Sequence, residues 1–263
     1  MKNILITNDD GLSSIGLKYL IKSVSKIVDP DKMYVIAPVQ QRSGISKAIS
    51  FKVKTKIISK EKPVIIGIDG TPADSVLLAV NGMVENIGFV LSGFNLGPNL
   101  GIEDVLTSGT VGAAFEAALH NIPSVSLSIV AEKWDDYNNL TLKDLEEIDE
   151  WTTKIISYIL KSGLPENVDL LNINFPLGRI KGIRITKIGN HYYRNFYEHE
   201  KDTFRVKKWS LAYYECDDRL SDIHAIKNHY VSITPLRINN LVDNEDMLST
   251  SKEFFKDLVV ENL

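Results

Sequence analysis

Nine residues near the start, NILITNDDG at 3–11, constrain this chain more than any other stretch. A short apolar run of this length fits a strand buried on both faces, as in a parallel sheet. It runs straight into Asp9 and Asp10, two like charges on neighbouring residues. Such a pair is either left in water or given a counter-charge.

The following residues extend the pattern. Leu17, Leu20, Ile21, Val24 and Val28 recur at helical spacing until Asp29-Pro30 ends the helix. MYVIA at 33–37 reads as a second buried strand, followed by the loop PVQQRSG. Residues 49–57 then alternate apolar with Ser or Lys, which predicts a half-exposed antiparallel strand pairing with PVIIGI as a hairpin inserted between βα units. Thr71, Pro72 and Asp74 form a capping-box start for a helix, so capping accounts for Thr71 and Asp74 without a catalytic role. GFVLSG, SVSLSIV, LLNINFP, IRITKI and HYVSITPL read as further strands. SGTVGAAFEAALHN, the segment from Leu145 to Ile159 and a terminal SKEFFKDL read as helices.

Strands alternating with helices predict a three-layer, doubly wound, mostly parallel α/β sheet of Rossmann-like type. The 263 residues form one domain, 1–263. The stretch 190–235 carries many Tyr and charges and few clean periods, so it reads as an extended arm, a candidate oligomerisation segment.

Composition excludes several functions. A formal net charge of −4 gives no overall basic field for nucleic acid or an anionic membrane. The lone Cys216 forms no internal disulfide and makes no zinc site by itself. No signal segment and no membrane-spanning run is visible, so a cytoplasmic protein is expected.

Ligands bind outside the carboxyl ends of strands in an open parallel sheet. Three loops leave such ends: NDDG, PVQQRSG and FNLGPNLG. They supply Asn8, Asp9, Asp10, Ser43, Asn95 and Asn99, all hard oxygen donors. That set suits Mg²⁺, Mn²⁺ or Ca²⁺ better than a thiophilic metal, and a divalent cation would cancel the Asp9–Asp10 repulsion. In SGTVGAA, Ser108 and Thr110 offer hydroxyls and Gly109 opens the backbone at a helix start that favours an anion. Metal oxygens beside an anion site point to phosphoryl chemistry. Each piece alone has a plainer reading: a DD pair is commonly a solvated turn, and SGT a common cap. Their convergence on one sheet edge carries the argument. NDDG lacks the Asp-x-Asp spacing that haloacid-dehalogenase phosphatases place after strand one, and the chain has no P-loop. A phosphorelay receiver would need an aspartate where this chain has Asn95.

Taken in order, ILITNDDG at 4–11, AP…RSG at 37–44, GTPADSV at 70–76, SGFNLGPNLGIEDV at 92–105, SGTVGAAFE at 108–116, NINFP at 172–176, GIRIT at 182–186 and SDIHAI with YVSITPL at 221–236 resemble the SurE family. The set spans nearly the whole chain. Thr107, Val39, Gln40 and Ser75 depart from that family's usual residues without touching an expected ligand.

The resemblance implies a 5′-nucleotidase, hydrolysing nucleoside 5′-monophosphates to nucleoside and phosphate. It implies one divalent cation per subunit, Mg²⁺ or Mn²⁺, held by Asp9, Asp10, Ser43 and Asn95. Ser108, Gly109 and Thr110 match the phosphate pocket, with Asn8 expected to steady the phosphate. Asp9, Asp10 and Asn8 are the expected catalytic residues, Asp9 orienting or deprotonating water. A homodimer or homotetramer with exchanged C-terminal arms is implied as well.

Overall fold

The apolar run at the N-terminus forms β1, Asn3–Thr7, at the centre of a nine-stranded sheet. This computed structural model describes residues 2–141, 143–194 and 196–238. After β1 come α1 (Ile15–Val24), β2 (Met33–Pro38), β3 (Thr55–Ser59), β4 (Val64–Ile68), α2 (Pro72–Leu78) and β5 (Ile87–Leu96). Then follow α3 (Gly101–Thr107), α4 (Gly109–Leu119), β6 (Ser124–Val130), α5 (Glu146–Ser162), β7 (Leu170–Pro176) and β8 (Ile183–Ile185). The described chain closes with β9 (Tyr197–Glu200), β10 (Thr203–Val206), α6 (Asp222–Lys227) and β11 (Val231–Leu236).

The strands run β3-β4-β2-β1-β5-β6-β7-β11-β8 across the sheet. From β4 to β7 all neighbours are parallel, and the order reverses between β1 and β5. Strand ends splay apart where crossovers leave in opposite directions, so that reversal opens a crevice at the carboxyl edge. β11 pairs antiparallel with β7, and β8 parallel with β11.

Alternation along β1 explains the three layers. Ile4 and Ile6 pack with Leu17, Leu20 and Val24 of α1 and Ile148, Ile155 and Ile156 of α5. Leu5 points to the other face, against Val76 of α2 and Ala113 and Ala117 of α4. A third cluster, Leu100, Val130, Tyr214, Ile223 and Ile226, seats the later segments beside the carboxyl edge.

Two expectations need correction. β4 is itself a parallel strand of the sheet, paired with β2, so only β3 is added outside it. The strand expected from residue 49 begins at Thr55. The preceding loop commits its polar groups elsewhere: Ser46 N donates to Thr107 O at 2.8 Å and Ser50 N to Asp74 Oδ1 at 3.0 Å. Thr71 Oγ1 donates to Ala48 O at 2.6 Å. Backbone held in this way is not available for a ladder. Within 190–235, β9 and β10 make a separate hairpin, whereas α6 and β11 belong to the body. SKEFFKDL lies outside the described residues.

Candidate functional site

The crevice at the reversal collects side chains from four segments. β1 delivers Asn8, Asp9 and Asp10, and the loop after β2 carries Gln41, Arg42 and Ser43. β5 places Asn95 near its end, and α4 presents its first turn.

Hydrogen bonds fix these pieces together. Arg42 N donates to Asp9 O at 2.6 Å, tying the β2 loop to the β1 loop. Leu96 N donates to Asp10 Oδ2 at 2.9 Å, tying the end of β5 to the second carboxylate. Gln41 Nε2 donates to Ser43 Oγ at 2.9 Å and to Asp10 Oδ1 at 3.3 Å, so Ser43 stands beside Asp10. Asn95 Nδ2 donates to Gly97 O at 2.9 Å, which leaves Oδ1, the atom a cation would take, as its remaining group. Thr110 Oγ1 donates to Asp9 Oδ1 at 2.5 Å.

Electrostatics explains what the pair lacks. Burial pushes the Asp9 carboxyl above its ordinary range, outweighing the Thr110 hydroxyl and the Gly109 and Thr110 amides, which favour the ionised form. Burial, and then the charge of Asp9, push Asp10 up to about 7. Two carboxylates taken out of water side by side need positive charge near them. No three His, Cys, Asp or Glu side chains cluster as a metal group among the described residues. A cation here would therefore be held by two carboxylates and neutral oxygens from Ser43 and Asn95. Hard ions accept that donor set, so the residues fit the expected metal.

The first turn of α4 packs directly against Asp9 and the loop after β2 because residue 109 has no side chain. A Cβ there would lie 3.0 Å from Asp9 Cβ, 3.1 Å from Asp9 Oδ2 and 3.2 Å from Arg42 O. Ser108 caps the helix, its Oγ accepting from Val111 N at 3.0 Å.

Asp9, Asp10, Ser43, Asn95, Gly109 and Thr110 thus meet in one crevice. Thr110 spends its hydroxyl on Asp9. Asn8 is buried, with Nδ2 donating to Gly11 O at 3.2 Å and Oδ1 without a partner among the described residues. Asn99 leaves the site altogether. Its side chain donates to Ser128 Oγ at 2.7 Å and its backbone is held by Asn172 and Asn174, so it braces β6 against β7. Sequence reasoning missed Gln41 and Arg42, although both lie inside the PVQQRSG loop. It also missed Tyr137, whose hydroxyl donates to Ile129 O at 2.7 Å and accepts from Ala131 N at 2.9 Å. Burial pushes that phenol up, and the nearby Asp10 charge adds to the shift.

Comparison with known proteins places this geometry. The family model described as "Survival protein SurE" matches residues 4–195, well over half the chain. The chain belongs to the SurE family. A 5′-nucleotidase SurE of Archaeoglobus fulgidus is 36% identical over 244 residues, 90% of this chain and 91% of that protein. One from Campylobacter jejuni is 39% identical over 250 residues, covering 91% and 93%. The crystal structure of the SurE protein from Aquifex aeolicus superposes with a TM-score of 0.78 at 30% identity, over 96% of this chain and 99% of that one. The α/β, mostly parallel architecture is therefore that of a SurE protein. Among the described residues no helix is long and apolar enough to cross a membrane.

Proposed function

We propose that this chain is a divalent-metal-dependent 5′-nucleotidase, hydrolysing nucleoside 5′-monophosphates to nucleoside and phosphate. One observation carries the reading: two adjacent carboxylates, Asp9 buried and Asp10 half-buried, meet the first turn of α4 at the sheet's reversal, where Thr110 donates to Asp9. The names of the relatives, 5′-nucleotidase SurE, support the substrate class.

Asp9, Asp10, Ser43 and Asn95 would hold one Mg²⁺ or Mn²⁺ per subunit. When bound, the cation supplies charge toward the phosphate and acidifies water. Asp9 has Oδ1 engaged by Thr110, so Oδ2 is the atom that orients the attacking water and takes its proton. Asp10 is fixed from both sides by Leu96 N and Gln41, which suits holding charge better than moving a proton. Gly109 lets α4 seat its start against Asp9, where the helix end favours the phosphate, and the Ser108 hydroxyl keeps its own proton to donate there. Asn8 steadies this arrangement from beneath, through Gly11.

Assembly as a homodimer or homotetramer belongs to the same reading. Among the described residues the β9–β10 hairpin pairs only with itself, and it exposes Tyr197, Phe204 and Val206. An isolated hairpin is marginal in water, which supports its exchange onto a second subunit.

Phosphate release from AMP and GMP, with EDTA and then with Mg²⁺ or Mn²⁺, tests the proposal beside an Asp10→Ala control. Metal-dependent release lost in the variant is the expected outcome. Folded protein that binds nucleotide and releases no phosphate with any metal would overturn it.

A further inference from the structure

The crevice is short of positive charge, and one residue is placed to supply it. A nucleoside monophosphate brings a phosphate dianion to a site that already holds Asp9 and Asp10. A single divalent cation offsets the two carboxylates and leaves the incoming anion uncompensated. Phosphoryl transfer relies on charges aimed at the non-bridging oxygens, so a further cation has work to do there.

Lys47, the next cation along the loop, is committed to Glu116 of α4. Arg42 is not so committed. Among the described residues it forms no ion pair with a carboxylate. Its backbone is locked into the site, with N donating to Asp9 O at 2.6 Å and its carbonyl against Gly109. At the far end of the side chain Nη2 donates to Asp69 O at 3.0 Å. Between these anchors Nε is buried and has no partner among the described residues. A buried guanidinium N–H without an acceptor is costly, and such groups in a native protein call for an explanation. A ligand oxygen would satisfy it.

We propose that Arg42 is a substrate-binding residue whose guanidinium takes a non-bridging oxygen of the substrate phosphate, with Asp69 O holding the side chain extended for that contact. Arginine suits the role because its planar fork can bind the carbonyl and the anion together and remains charged at every working pH. The inference rests on the phosphatase reading above.

The test is calorimetric titration of inorganic phosphate into Mn²⁺-loaded wild-type protein and into Arg42→Gln, with Mn²⁺ affinity and circular dichroism measured for both. Phosphate affinity is expected to fall at least about tenfold in the variant, the loss typical of a charged hydrogen bond. Mn²⁺ affinity should stay unchanged, because Arg42 donates no oxygen. Equal phosphate affinity in the two proteins would overturn the inference, as would a wild-type protein that does not bind phosphate. If Arg42→Gln proves unfolded, Arg42→Lys decides: its point charge cannot serve both acceptors, so unchanged phosphate affinity overturns the inference. Wild-type protein that binds phosphate through Arg42 but hydrolyses no nucleotide would sink the enzyme reading alone.

Discussion

The Thr110 hydroxyl donates to Asp9 Oδ1 at 2.5 Å, joining residues 101 positions apart. Asp9 is thereby docked on the first turn of α4, and only Oδ2 remains for chemistry. Thr110→Val keeps the shape and removes the donor. Stability is expected to fall by about 1 kcal/mol, the net worth of one such bond. The Asp9 carboxyl, already raised by burial, should rise further once this stabilising donor is gone. Mn²⁺ binding should therefore weaken more at pH 6 than at pH 8. Titrations at the two pH values check this, and an equal loss at both would show that Thr110 does not control the ionisation of Asp9.

Asp10 sets a second pH dependence. Its carboxyl is pushed up to about 7 by burial and by Asp9. A metal ligand must be deprotonated, so binding releases the proton that Asp10 carries below that pH. Mn²⁺ affinity is expected to rise about tenfold per pH unit below about 7 and to level off above it. Calorimetry in buffers of different ionisation enthalpy would count the protons released. A flat affinity between pH 5.5 and 8 would mean that Asp10 is already ionised.

Gly109→Ala tests the close seating of Asp9 on α4. The added methyl would sit 3.0 Å from Asp9 Cβ and 3.2 Å from Arg42 O, against backbone and a buried side chain. Turnover of AMP is expected to fall about a hundredfold, as for other losses of aligned phosphate contacts. Mn²⁺ affinity should fall as well, because the methyl crowds Asp9, one of the proposed ligands. Retention of wild-type kcat/KM would show that the phosphate lies elsewhere.

Much of this was legible in the sequence, for local reasons. Asp9, Asp10 and Ser43 follow strands that the apolar runs announce, Asn95 lies near the end of β5, and parallel strands bring their carboxyl ends to one edge. The Thr71–Asp74 capping box forms as its spacing predicts, because it needs only backbone within one turn. Residues that depend on distant partners were not readable. Asn99 lies in the right loop but is drawn to Ser128, Asn172 and Asn174. Residues 49–54 alternate like a strand, yet Thr107 and Asp74 hold the loop's backbone amides. Asp104 gave no local sign of its role, since its partners are Tyr193 and Tyr214.

That last cluster yields a stability prediction. Asp104 is buried in α3 and accepts from Leu100 N at 3.1 Å, from Tyr214 Oη at 2.8 Å and from Tyr193. It fastens the segment that leads to the β9–β10 hairpin onto the helix that runs into Ser108. Burial pushes its carboxyl up to about 7, against those three donors. The folded state therefore holds a proton that the unfolded chain has released. The stability this provides is full below the ordinary carboxylate range and is lost as pH rises to about 7. Asp104→Asn mimics the protonated acid and cannot ionise. Asp9 and Asp10 are also raised, but they do not face Asp104 and cancel in the difference; Asp222, whose charge acts on Asp104, is relieved in the variant when both would be ionised, which adds to the same direction. Urea unfolding at pH 5 and pH 8 should therefore show the stability difference moving toward the variant by more than about 1 kcal/mol. Asp104→Ala, which strands all three donors, should lose about 3 kcal/mol or more at pH 5. A difference between wild type and Asp104→Asn that does not change with pH would mean that the cluster keeps Asp104 ionised, with the two tyrosines and the Leu100 amide outweighing burial.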